Sequence, residues 1–261
     1  MKKLLFIFNC HSGQIKKQIA HLPFLFDEII IYNYLVPEYF KYTLTYYDME
    51  DLQKIKNADI FILQNVKNLR GKEFIGIDNI RRIAKQEAIF INIPHYTFMG
   101  YFLNFDIKQQ IDIANYGTED EIYNNLDKSL EKIKYLDEMS DIKCYDFIKE
   151  NYRKVRLFHA KIYPTYHLFH FIAQEICKIL GFDFNIKKIY SEYSKPNNQI
   201  IFPNVKKYLQ LEFDVEDFCY KCTQEEYITI CKKLGINELY FFPRKKGKNH
   251  IKELENLRKG L

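Results

Sequence analysis

Three short stretches of the sequence carry side chains able to do chemistry: Asn9-Cys10-His11, Gln64-Asn65 and Pro94-His95-Tyr96. A thiol beside an imidazole is the pattern of an activated sulfur nucleophile, because the imidazole can take the proton and leave a thiolate. A side-chain amide can donate to the oxyanion that forms when a carbonyl is attacked. Such a set works only if distant segments deliver their groups to one place. A lone cysteine is more often an inert core residue, so the elements around Cys10 decide between the two.

The stretch LLFIFNCHSGQI, residues 4 to 15, is an apolar run, then a polar turn, then a change of period. Past Gly13, the residues Ile15, Ile19 and Leu22 recur at helical spacing, which predicts a first strand–helix unit. Further apolar runs at 28–35, 59–66 and 88–94 alternate with helical text at 13–22, 48–57 and 74–87. Strands with little polar alternation, each followed by a helix, belong to an α/β fold whose parallel sheet is covered on both faces. Right-handed crossovers put all the strand carboxyl ends on one edge, and open α/β sheets hold ligands there. Cys10, His11, Gln64 and His95 are therefore expected to share one rim. A cysteine at a strand-to-helix turn also feels the positive end of the following helix, which lowers its pKa.

Bulk composition narrows the class. The chain has 261 residues, 47% of them hydrophobic and 16% aromatic with no tryptophan, enough for a core without staples. The opening MKKLLFIF imitates a secretory signal, but the apolar run stops at Asn9 and no small-residue cleavage site follows. A cytoplasmic protein is expected. Its six cysteines are irregularly spaced, and CYKC at 219–222 lacks the second pair a zinc site needs, so no metal is expected. The net charge of +5 lies wholly in the tail: residues 244–261 hold seven basic and two acidic side chains, leaving 32 of each before them. No basic stripe crosses the body, which argues against a nucleic-acid partner. The tail itself reads as a solvated helix or as a patch for phosphates or an anionic lipid surface.

The second half turns helical. Thr118 with Glu121 forms a capping box that opens a helix over 118–139, and residues 142–154 read as another. VRLFHAKIYPT, residues 155–165, reads as extended; a buried helix follows from Thr165 as N-cap to a stop at Gly181. His167 and His170 share a face of it, where core histidines are expected rather than metal ligands. Beyond Lys187 only TQEEYITICKKLG, residues 223–235, reads as a clear helix. We divide the chain into a core, residues 1–184, and a C-terminal helical extension, residues 185–261, that belongs either to the same domain or to a lobe of its own.

Three pieces in order resemble one family. FNCHSGQI resembles its N-terminal Gly-Asn-Cys-Gln motif, and ADIFILQNVKNLRG with INIPHYTFMGY resembles its Asp-strand-Gln and Ile-Pro-Asn-x-x-Phe-x-Gly-Tyr segments. VRLFHAKIYPTYHLFHFIAQEICKILG resembles its Arg-x-Phe…His-Pro-Thr helix start. The family is the WcbI-like capsular polysaccharide biosynthesis proteins. The resemblance implies a three-layer α/β sandwich related to the SGNH/GDSL hydrolases, with additional helices in the C-terminal half. It also implies coenzyme A or acyl-coenzyme A as cosubstrate, and acyl (acetyl) transfer onto a sugar or glycan acceptor. The chain departs from the motifs at Phe8, His11, His95 and Tyr163. If the family's His is its base, this chain recruits His11, His95, His159 or His167, or does different chemistry. The resemblance makes a capsule-assembly contact a further candidate role for the basic tail.

On this reading Cys10 attacks the thioester, and Gln64 with backbone N–H groups holds the oxyanion. Asn9 serves there too or caps the first helix. His95 or His167 takes the proton of the sugar hydroxyl. Candidate coenzyme contacts are Asn9, Arg70, Gly71, Gly100, Tyr101 and Thr165; Arg70 presents a bidentate fork and Gly71 permits close approach. Gly100 and Tyr101 are also candidates for an acceptor wall, and Lys161 for a phosphate. The alternatives are direct transfer with Cys10 only lining the pocket, an SGNH-like esterase acting on a glycan, and a non-catalytic subunit that binds coenzyme A or a nucleotide sugar.

Overall fold

The structure, a computed structural model, describes residues 2–8, 14–15, 18, 26–33, 49–64, 77–103, 111–112, 115–182, 201–213 and 221–222. Four strands, β1 (Lys2–Phe8), β2 (Phe26–Asn33), β3 (Ile60–Gln64) and β4 (Ile89–Ile93), form one parallel sheet in the order β2-β1-β3-β4. All four coincide with the apolar runs, within a few residues at each end. The register is continuous where it matters for the site: Ile7 pairs with Leu63, and Gln64 with Ile93.

Side-chain alternation along the strands sorts the core into two clusters. Leu4, Phe6, Ile60, Ile62, Ile91 and Ile93 face one way; Leu5, Ile7, Phe61 and Leu63 face the other. That is the period of two of a pleated strand, with both faces dry because helices cover both. Helices α1 (Met49–Asn57) and α2 (Ile77–Ile83) supply Ile55 and Ile80 to the second cluster. Phe90 stacks on Phe61 at 4.7 Å there, under the Arg81 guanidinium. Ile15, in the helical text after β1, belongs to the first cluster. The chain therefore winds first over one face and then over the other. Strand order reverses between β1 and β3.

The first face is covered by described residues of the second half. Helix α3 (Glu119–Glu138) starts at Thr118, whose Oγ1 accepts the Glu121 N–H at 3.2 Å, so the threonine half of the predicted box forms. Helices α4 (Tyr145–Asn151), α5 (Tyr166–Ile179) and α6 (Pro203–Leu209) complete the layer. Helix α5 ends as predicted: Gly181 has φ +73°, its N–H donates to Lys178 O, and the Phe182 N–H donates to Cys177 O. That bond pair and a left-handed glycine form a Schellman stop. Ile201, Phe202, Val205, Leu209 and Leu211 lie in the same cluster as the sheet. The outer edge of β4 is covered too, since Asn92 N–H donates to Asp141 Oδ2 and Asp141 N–H to Asn92 O.

The piece read as extended is more than that. It folds into a hairpin of β6 (Phe158–Ala160) and β7 (Tyr163–Pro164), and a further antiparallel pair joins β5 (Ile111–Asp112) to β8 (Lys221–Cys222). The helix expected at 223–235 and the basic tail lie outside the described residues.

Candidate active site at the carboxyl edge

The reversal between β1 and β3 marks where an open α/β sheet leaves a crevice beyond its strand ends, because neighbouring connections depart to opposite faces. β3 ends there on Gln64, which is only 4% exposed. β1 ends on Phe8, and the sequence runs on into Asn9, Cys10 and His11. Those three residues lie outside the described residues, as do Arg70 and Gly71. One contact ties the region to the second half: Gln18 Oε1 lies 3.4 Å from His170 Nδ1. Gln18 stands seven residues beyond His11 in the sequence, and His170 three beyond His167.

The β6–β7 hairpin is pinned to the chain that leaves β4. Phe98 N–H donates to Lys161 O at 2.8 Å, and the Phe98 ring stacks on Phe158 at 5.0 Å. Between the hairpin and the start of α5 lies a cavity of about 280 Å³, lined by Lys154, Arg156, His159, Thr165, His167 and Phe213, with Val155 and Tyr166. Arg156 is held by two carbonyls, its Nε donating to Phe158 O and an Nη to His159 O. Thr165 does occupy the N-cap position of α5, but its hydroxyl donates to Arg156 O at 2.8 Å instead of capping the helix. Burial, with His170 adding to it, holds His167 below its ordinary pKa, so its imidazole is neutral near pH 7. His95 is also pushed down by burial and then by Lys132, which places its ring under the influence of α3. Lys161 is half-buried, and burial lowers its amine pKa.

Two assigned contacts prove to be packing. Tyr101 is fully buried, and its hydroxyl donates to Tyr152 O at 2.6 Å, so it cannot line a wall for coenzyme or acceptor. Gly100 is needed for the neighbouring ring: a Cβ there would lie 2.6 Å from Phe98 Cζ and 3.1 Å from Leu126 Cδ1. The Phe-x-Gly-Tyr segment is thus a structural clip. Phe98 stacks on the hairpin, Gly100 makes room for it, and Tyr101 fastens the chain after α4.

Two cysteine side chains are described, and neither suits nucleophilic work. Cys144 is wholly buried and its thiol is pushed far up by burial; Cys177, also buried, is pushed up to about 11. Among the described residues no group of His, Cys, Asp and Glu could hold a metal ion, and no helix is long and apolar enough to cross a membrane. The sequence reading missed Lys154, and it took Arg156 only as part of a motif. The signal for both was a cationic pair beside the extended segment, with no acid among residues 152–165.

The described residues define an α/β fold whose parallel sheet reverses strand order between β1 and β3, with a cationic, histidine-bearing cavity between the β6–β7 hairpin and α5. No protein-family model matches the sequence, and no curated protein matches it. Among solved structures the chain is similar to WcbI, described as a novel polysaccharide biosynthesis enzyme, in a native form without a disulfide bond between coenzyme A and one of its cysteines. The two share 16% identity at a TM-score of 0.53, over 89% of each chain. At that identity the likeness is one of fold.

Proposed function

We propose that the protein is an acyltransferase of surface-polysaccharide biosynthesis, moving an acyl group from acyl-coenzyme A to a sugar hydroxyl through Cys10. The observation that carries this reading is the strand reversal. It makes the β1/β3 carboxyl ends the ligand crevice of such a sheet, and the sequence supplies Cys10 two residues beyond β1 and Gln64 as the last residue of β3. The naming of coenzyme A and a cysteine together for WcbI supports the cosubstrate. The unsuitability of Cys144 and Cys177 adds to the argument for Cys10. Helices on both faces of the sheet favour the SGNH-like three-layer reading, and the packing of residues 201–213 into the main core favours a single domain.

The steps are those of covalent catalysis. The Cys10 thiolate attacks the thioester carbonyl; the bond to the coenzyme sulfur breaks, and coenzyme A leaves as its thiolate. Gln64 and N–H groups of the turn hold the oxyanion. A sugar hydroxyl then attacks the acyl-cysteine while neutral His167 takes its proton, and the acyl–sulfur bond breaks to restore the thiolate. Incubation with acetyl-coenzyme A is expected to give an intact mass heavier by one acetyl group. Cys10→Ala abolishes that adduct and lowers turnover by at least ~10³-fold. Undiminished thiol release by Cys10→Ala would sink the covalent route.

A further inference from the structure

Besides His167, the cavity between the hairpin and α5 carries side chains that the transfer steps do not use. Seven of its eight lining residues fall between Lys154 and His167; two are permanent cations, two are imidazoles, and none is acidic. Since residues 1–243 carry equal numbers of basic and acidic side chains, this is a local concentration and not a general excess. The Arg156 guanidinium is fixed by the carbonyls of Phe158 and His159, which holds a permanent positive charge at the cavity wall, of the kind that draws carboxylate and phosphate oxygens. Thr165, 2% exposed, fixes the corner from behind. On the far side Phe213 is set by an edge-on contact with Tyr101 at 5.7 Å and by the Glu212 N–H, which donates to Arg153 O.

Size decides what enters. About 280 Å³ lies just under the roughly 300–1,000 Å³ of sites for drug-sized ligands. The space suits one ring with its charged substituent. His167 lines this cavity and is the base assigned above, so the molecule that yields a proton to His167 sits here. We infer that the cavity is an oxyanion site for the acceptor, which makes the acceptor an acidic sugar bearing a carboxylate or phosphate near the hydroxyl that is acylated. This inference rests on the assignment of His167 in the proposed function.

The two are separable by measuring binding without turnover. Calorimetric titration of the whole chain with glucuronate, glucose 6-phosphate, glucose and coenzyme A is expected to show both anionic sugars binding at least ~10-fold tighter than glucose. Arg156→Gln is expected to weaken the anionic sugars by roughly 10- to 100-fold, as loss of a charged hydrogen-bonding partner does, while leaving the coenzyme affinity unchanged. Because Arg156 also bonds two carbonyls, Lys154→Glu is the companion variant: its side chain is exposed at the cavity, and a ~10-fold loss confined to the anionic sugars is expected. Equal binding of glucose and glucose 6-phosphate overturns the inference. So does a loss in either variant that falls on coenzyme A, which would assign the cavity to the coenzyme's phosphates. Anionic sugars that bind as expected in a protein whose Cys10→Ala variant retains full turnover would uphold the site and remove the covalent mechanism.

Discussion

The two edges of the central sheet are built by different means. At the amino edge, Asp59 closes the structure with polar bonds. Its carboxylate accepts the Lys3 N–H at 2.6 Å and the Lys85 ammonium at 2.5 Å, its own N–H donates to Lys3 O, and its carbonyl accepts the Ile89 N–H. One residue thereby joins β1, β3 and β4, and its polar groups are used up in doing so. Beyond the carboxyl end of β4 rings carry more of the packing, with Phe98 on Phe158 and Tyr101 edge-on to Phe98 and Phe213, beside the Phe98 N–H bond to Lys161 O and the Tyr101 hydroxyl bond to Tyr152 O. Apolar packing is non-directional and leaves donors and charges uncommitted to it.

Removing the ring at the centre of the carboxyl edge should cost most. Phe98→Ala is expected to lower unfolding stability by about 3–5 kcal/mol, the cost of a fully buried aromatic, and to loosen the hairpin that bears Arg156 and His159. Denaturant titration reads the first effect and sugar binding the second. Gly100→Ala forces a methyl group against a ring held on two sides, at about 1–3 kcal/mol. In a Phe98→Leu background that cost should shrink, because the clashing atoms are gone; strict additivity in the double mutant would disprove the clip. Asp59→Ala, at the other edge, should cost about 1–2 kcal/mol, reduced because the Asp59 side chain is 29% exposed and water can replace its bonds. It should leave ligand binding unchanged.

The four strands of the sheet were legible because their apolar runs are long, β-branched and bounded by polar helices. The stop at Gly181 was legible because only glycine adopts that φ cheaply. The hairpin was not: β6 and β7 are three and two residues long, too short for any period to register. Gln64 and His167 fell where the chain pattern put them. Tyr101 and Gly100 misled, because a motif reports that residues are needed together without saying whether they serve a ligand or a ring. Only the Tyr101–Tyr152 bond and the distance from Gly100 to Phe98 separate these uses. Thr165 misled in a smaller way, since the spacing marks an N-cap but cannot reveal a competing carbonyl at Arg156.

The smallest expected effect is a difference in the pH at which the two edges weaken. His95, His167 and His170 are all pushed down by burial. Between the lowered folded values and the unfolded value near 6.5, the unfolded chain binds more protons, so acid favours unfolding there. Their contribution is whole above about pH 6.5 and is lost as pH falls through the folded values. Asp59 is held low by the Lys3 N–H and by Lys85, so its contribution is present above the ordinary carboxylate range and is lost only as pH falls through its lowered value. Asp137 has the opposite sign, because burial raises its pKa and the folded state keeps a proton that the unfolded chain releases. It therefore offsets part of the histidine loss in mildly acidic solution. Thermal melts should show a first decline setting in just below about pH 6.5, shallower in His167→Gln. The gap between wild type and Asp59→Ala should stay constant through that decline and close only below about pH 4, where the carboxylate takes its proton. A gap that closes together with the histidine decline would mean that the amino edge and the carboxyl edge are not independent.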